Sequence, residues 1–393
     1  MSLHLPILVI PRSCFFLRSV CILSVALAAS GPVRAVHAEE PCVKAADLVK
    51  KALNLGEGSD EEIQLYKEAQ ALCPKMAEVH FNLGLAYQRK GDLDGAEREL
   101  RQSVELKDEE QFRLGLGGVL LVKGEVSAAR EQYERILEKN SRSVPALQGV
   151  AVILERQQKL LEAVDVLQKA GEIEPTNALT FFNLGVLQEK LKRPDAALVA
   201  YQRATESDPK HVEAHHLLGM IQLRQGFFND ARKSLQRAAE LKPDDVRVHI
   251  GLAEVYEKLG QRALAETSLR RVVAIAPKNV VAQLNLGIVL IEESRYEEAV
   301  RALTKAAELD PKNARVWSSL GRAQLELGRM VDAEKNLKLA LSLDSSNPFA
   351  HNNLGVLYQR LGRDRLAREE FEMALSLHPG LEVAKRNLES VGG

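Results

Sequence analysis

His211, Glu213, His215 and His216 are the residues whose types and spacing most suggest chemistry. Histidines four apart can share a helix face and hold Zn²⁺, with the carboxylate as a further ligand. Gly115, Gly117 and Gly118 crowd a second stretch in the manner of a phosphate-cradling loop. Such a loop needs a preceding strand and a following Gly-Lys-Ser/Thr, and neither is present. No His-Glu-x-x-His or Gly-x-Ser-x-Gly occurs, and the carboxylates are scattered without a paired set. The sequence predicts a chain that is not an enzyme and holds no metal or cofactor. With 53 Lys+Arg against 54 Asp+Glu the formal net charge is −1, so no basic field exists to hold nucleic acid.

Those residues sit in a periodic chain. Pro175, Pro209, Pro243, Pro277 and Pro311 stand 34 residues apart, and after Ser345 the register resumes at Pro379. Ala163, Ala197, Ala231, Ala265, Ala299, Ala333 and Ala367 keep the same step, as do Gly185, Gly219, Gly287, Gly321 and Gly355, with Ala253 standing in once. Within residues 280 to 313, Leu284, Leu286, Gly287 and Leu290 stripe one helix, Ser294-Arg295 interrupts, and Ala299, Leu303 and Ala306 stripe a second. Two antiparallel helices per unit follow, small residues marking their close approach and proline ending the unit. Aromatics at 5% and a single Trp317 suit such Ala- and Leu-packed helices better than a sheet.

Phe182-Asn183-Leu184-Gly185, Ala197, Tyr201, Ala204 and Pro209, and again Asn353-Leu354-Gly355, Tyr358, Ala367, Phe371, Ala374 and Pro379, resemble the tetratricopeptide repeat. The resemblance implies an all-α fold, a right-handed α-α superhelix. Nine full units are expected over 77–381: 77–109, 110–143, then seven of 34 residues from 144. A degenerate unit over 39–76 precedes them, keeping Tyr66, Ala69 and Pro74 but with Val49-Lys50 in place of Leu-Gly. Residues 382–393 read as a polar capping helix whose Lys385, Arg386 and Glu389 cover the last unit. Gly117 falls in the repeat's own glycine slot. His215 falls in the fourth slot, shared with His80, His249, His351, Trp317, Phe181 and Leu147, which reads as packing volume between helices.

Ahead of the array, residues 1–38 hold Arg12, Arg18 and Arg34, no carboxylate, and an apolar run from Val20 to Ala29, too short for the ~20 residues of a membrane span. With Val36-His37-Ala38 as the small-residue exit, this segment reads as a secretory signal cleaved after Ala38. An uncleaved anchor is the alternative, and Val20 before Cys21 argues against a lipoprotein site. Export, to a periplasm or the medium, leaves Cys42 and Cys73 as an even pair in an oxidising compartment. Cys42 precedes the first helix of the degenerate unit and Cys73 ends its second. The ends of an antiparallel pair meet, so a Cys42–Cys73 disulfide is expected.

The resemblance also implies a binding face, because the second, fifth, sixth, ninth and twelfth residues of each first helix line the groove of such arrays. The expected peptide-binding residues are Phe81, Asn82, Leu114, Phe182, Asn183, Val186, Met220, Ile250, Leu284, Asn285, Ile288 and Asn353. Asn82, Asn183, Asn285 and Asn353, all at the sixth slot, resemble the asparagine ladder of O-linked N-acetylglucosamine transferase, since an amide can donate to and accept from a peptide backbone. The other sixth slots hold Gly115, Gly149, Leu217, Gly251 and Ser319, and Asn can equally bond within its own helix. The transferase's catalytic domain finds no room in the dozen residues after the last unit. A chaperone-type carboxylate clamp is not expected, because no fifth slot is Lys and no ninth is Asn. The apolar early groove predicts selectivity for extended apolar peptide, and not for acidic tails or nucleic acid. The function expected is a protein-binding scaffold, in bacterial envelope or secretion assembly, with a self-associating array or the docking subunit of an enzyme complex such as polysaccharide export as alternatives.

Overall fold

The computed structural model describes residues 40–55 and 58–391; the expected signal segment lies outside them. Among the described residues there are α-helices and no strand. They are α1 Glu40–Leu55, α2 Asp60–Leu72, α3 Ala77–Lys90, α4 Leu93–Leu106, α5 Glu110–Lys123, α6 Val126–Lys139, α7 Val144–Arg156, α8 Leu160–Ile173, α9 Ala178–Lys190, α10 Pro194–Ser207, α11 Val212–Arg224, α12 Phe228–Leu241, α13 Val246–Lys258, α14 Arg262–Ile275, α15 Val280–Glu292, α16 Tyr296–Leu309, α17 Ala314–Glu326, α18 Met330–Leu343, α19 Pro348–Arg360, α20 Asp364–Leu377 and α21 Glu382–Val391. The chain divides into two compact units, Met1–Ala214 and His215–Gly393, with the division inside α11. In each, consecutive helices pair as hairpins and each hairpin stacks on the next.

Sequence dictates each boundary. The last residue of a unit caps the first helix of the next: Ser143 Oγ accepts from Ala146 N–H, and the Oδ1 atoms of Asn177, Asn279 and Asn347 accept from Thr180, Ala282 and Ala350 N–H. The turn inside each hairpin needs one residue at positive φ, filled by Gly58, Gly91, Gly124, Gly226, Gly260, Gly328 and Gly362 but by Gln158, Lys192 and Ser294 in three hairpins. The core is the glycine slot against the large side chain of the second helix. A Cβ on Gly185 would lie 2.4 Å from the Tyr201 ring, and one on Gly287 2.4 Å from Leu303 Cγ. The alanines at the 34-residue step, such as Ala163 and Ala197, are fully buried against their neighbours. The one-residue phase slip is a shortened linker, Lys107 to Glu109, between α4 and α5.

At the N-terminal end Ala45, Val49, Ala52, Tyr66 and Ala69 form the core of the α1–α2 hairpin. Cys42 and Cys73 are joined by a disulfide across its open end, with a Cα separation of 5.0 Å. At the other end, α21 covers the last hairpin differently from expectation. Ala384 is buried and Leu388 and Val391 pack on the core of Leu354, Leu357 and Phe371, while Lys385, Arg386 and Glu389 are exposed. Period 3.6 makes the reason plain: apolar residues at 384, 388 and 391 share one face.

Candidate functional site

The histidine constellation is built into the scaffold. His211 Nδ1 accepts from Ala214 N–H, doing at the start of α11 what asparagine does at other junctions, and its ring stacks on Phe182 at 4.8 Å. Among the described residues no group of three His, Cys, Asp or Glu is placed to hold a metal ion. The fourth slot does more than fill volume. His80 Nε2, His249 Nε2 and Trp317 Nε1 donate to the carbonyls of Pro74, Pro243 and Pro311, each at 2.8 Å and each six residues back in the linking turn. Gln283 Nε2 and His351 Nε2 donate to Pro277 and Ser345 carbonyls in the same way. The shared property of His, Trp and Gln is an N–H at the right reach, which a packing reading misses; Phe181 and Leu147 lack it.

Burial separates the expected groove residues into two sets. In the first unit Phe81, Leu114, Phe182 and Val186 are buried, as are Asn82 and Asn183. Phe81 lies 4.9 Å from the Phe112 ring, and Phe182 packs on Tyr201. Asn82 Nδ2 donates to Glu78 O within its own helix at 2.8 Å. These side chains are packed inside the array, Phe81 against the next hairpin and Phe182 against its own hairpin's second helix, instead of presenting an open apolar face. In the second unit Leu284 is buried, while Met220, Ile250, Asn285, Ile288 and Asn353 are half-buried. Three of the gaps in the asparagine ladder have a steric cause: a Cβ on Gly115, Gly149 or Gly251 would come within 2.9 Å of Phe81, Tyr133 or Met220. Where the preceding hairpin sends a large side chain over the sixth slot, nothing bigger than glycine fits.

An open concavity lies where the sequence reads polar. A cavity of about 1310 Å³ in the second unit is walled by α17, α19 and α21, with Ile288 and Asn353 from the expected set on its lining. Ser319, Asn353 and Asn387 line it, 34 residues apart at the sixth slot of three successive first helices. Asn387 escapes the sequence reading because α21 reads as a cap, although the 34-residue step reaches it. Asn387 Nδ2 donates to Asn352 Oδ1 at 2.9 Å, which ties α21 to α19. Phe349, more than half exposed, Val356 and Val383 add apolar wall beside Arg315 and Arg322. On α13 the Glu257 carboxyl is held above the ordinary carboxylate range by burial and by the Glu292 and Glu254 carboxylates, with Arg315 pulling it down.

Such a site can hydrogen-bond and bury. No helix among the described residues is long and apolar enough to cross a membrane. Residues 146–391 match the family described as the cilia and flagella-associated protein 70 C-terminal domain, and residues 60–107 match the TPR repeat. No curated protein matches the chain in sequence. Among solved structures it is similar to MamA, at 24% identity over 43% of this chain and 92% of that one with a TM-score of 0.41. It is similar to the APC/C hetero-tetramer Cut9-Hcn1 at 16% identity, covering 89% and 86% with a TM-score of 0.46. The corresponding figures for pilF of Pseudomonas aeruginosa are 19%, 55%, 97% and 0.48. With the first family match spanning well over half its length and the hairpin register repeating throughout, the chain belongs to the tetratricopeptide repeat family.

Proposed function

We propose that this chain is a non-enzymatic scaffold that holds an extended segment of a partner protein in the concavity of its second unit. One observation carries the reading: Ser319, Asn353 and Asn387 present hydroxyl and amide groups at equal sequence steps along one open cavity. An extended peptide has unpaired N–H and C=O groups at regular spacing, and amides can serve both. The Cys42–Cys73 bridge supports an oxidising compartment, hence export with a mature N-terminus at Glu39 and a role in envelope or secretion assembly.

The test is co-purification from the native host with the chain as bait, compared with Asn353→Ala/Asn387→Ala. Each ladder hydrogen bond is worth ~1 kcal/mol net, so the double variant should recover several-fold to tens-fold less partner while keeping its helical circular dichroism. Full recovery by that variant overturns the groove reading.

A further inference from the structure

We infer that the segment taken by this concavity is acidic, its carboxylate side chains received by Arg322 and Arg315. This rests on the peptide-groove reading and adds the ligand's charge. Arg315 and Arg322 both line the cavity, are exposed, and make no hydrogen bond or ion pair among the described residues. They are seven residues apart on α17, two helical turns or about 10 Å, and so lie on one face. Elsewhere the array ties its arginines down, as Arg295 is tied to Glu266, Glu293 and Glu298.

The cavity's own acids are already engaged. Glu326 accepts from Arg360 Nη2 at 2.9 Å, Asp310 accepts from Lys312 N–H and Asn313 Nδ2, and Asp344 accepts from Ser346 N–H and Oγ. Lys312 adds a third cation at the rim. A guanidinium with no hydrogen-bonded carboxylate in a half-enclosed site favours an anionic ligand, and its planar donors fit a carboxylate bidentately. Arg315 also attracts the Glu257 carboxylate, which Glu292 and Glu254 crowd, so Arg322 receives the larger share of the ligand's charge. The exposed Phe349 ring beside them accommodates an apolar side chain between the acidic ones.

Fluorescein-labelled peptides of about twelve residues, alternating Val with Asp, Asn or Lys, test this by anisotropy on the full mature chain. The Asp peptide should bind about tenfold or more tightly than the Asn peptide, the Lys peptide least. Arg315→Gln/Arg322→Gln should reduce the Asp peptide to about the Asn peptide's affinity. Asn353→Ala/Asn387→Ala should weaken Asp and Asn peptides by the same factor. Equal binding of Asp and Asn peptides to the wild-type chain, or an Asp preference that survives loss of both arginines, overturns the acidic assignment while leaving the groove standing. Peptide binding indifferent to the asparagine pair overturns the groove itself. An oligothymidylate that binds with the same arginine dependence and outcompetes the Asp peptide overturns the assignment to protein.

Discussion

At the scale of single residues, the array uses few positions to fix its geometry, and each has a measurable consequence. His80 bridges two hairpin elements: Nε2 donates to Pro74 O, and Nδ1 meets Glu99 Oε2 at 2.8 Å, with Gln70 Nε2 on the same carboxylate. The Glu99 contact, opposed by burial and helped by the Pro74 carbonyl, holds the His80 pKa above its ordinary value. A raised folded-state pKa means that the imidazolium's contribution is fully present below the unfolded value near 6.5 and is lost as pH rises through the folded value. Urea melts of the wild-type chain should therefore weaken from pH 6 upward through that window relative to His80→Gln, whose stability should lack this slope; parallel profiles contradict the bridge. Gly185→Ala drives a methyl into the Tyr201 ring and should cost about 1–3 kcal/mol by overpacking, read from the same melts.

At the scale of elements, the three hairpins turned by Gln158, Lys192 and Ser294 keep a non-glycine residue at φ near +60°. Left-handed backbone disfavours a Cβ, so Gln158→Gly and Lys192→Gly should each stabilise by about 0.5–1 kcal/mol after glycine's own entropic cost. Differential scanning calorimetry of the two variants checks this, and unchanged or lowered melting temperatures contradict it. Hairpins and their register were legible in the sequence, because proline, alanine and glycine at a 34-residue step each mark a physical constraint. The exposure of the groove positions was not. Whether Phe182 faces solvent or packs on Tyr201 and His211 depends on the pairing of its own helix with α10 and on the following junction, which a slot number does not contain. Asn387 was hidden for the opposite reason, since its helix lacks a partner helix and so lacks the hairpin's pattern.

At the scale of the molecule, each hairpin within a unit leans chiefly on its sequence neighbours, so stability is close to a sum of local terms and the ends fray first. The disulfide at the N-terminal end should add about 3–4 kcal/mol in the chain-entropy model, and Cys42→Ser/Cys73→Ser should expose the α1–α2 hairpin to early hydrogen exchange while α15 and α16 keep their protection.

The same bridge sets a mechanical limit. The cysteines are 31 residues apart in sequence, and a covalent shortcut bears tension in place of the chain it bypasses. When the mature chain is stretched from its two termini in optical tweezers, the α1–α2 hairpin can melt but its segment cannot lengthen. The fully extended contour should then fall short by about 100 Å, from ~3.4 Å per bypassed residue, and a reductant should restore that length in one step. A partner tugging on this protein during assembly would meet an N-terminal hairpin that transmits force without paying out chain.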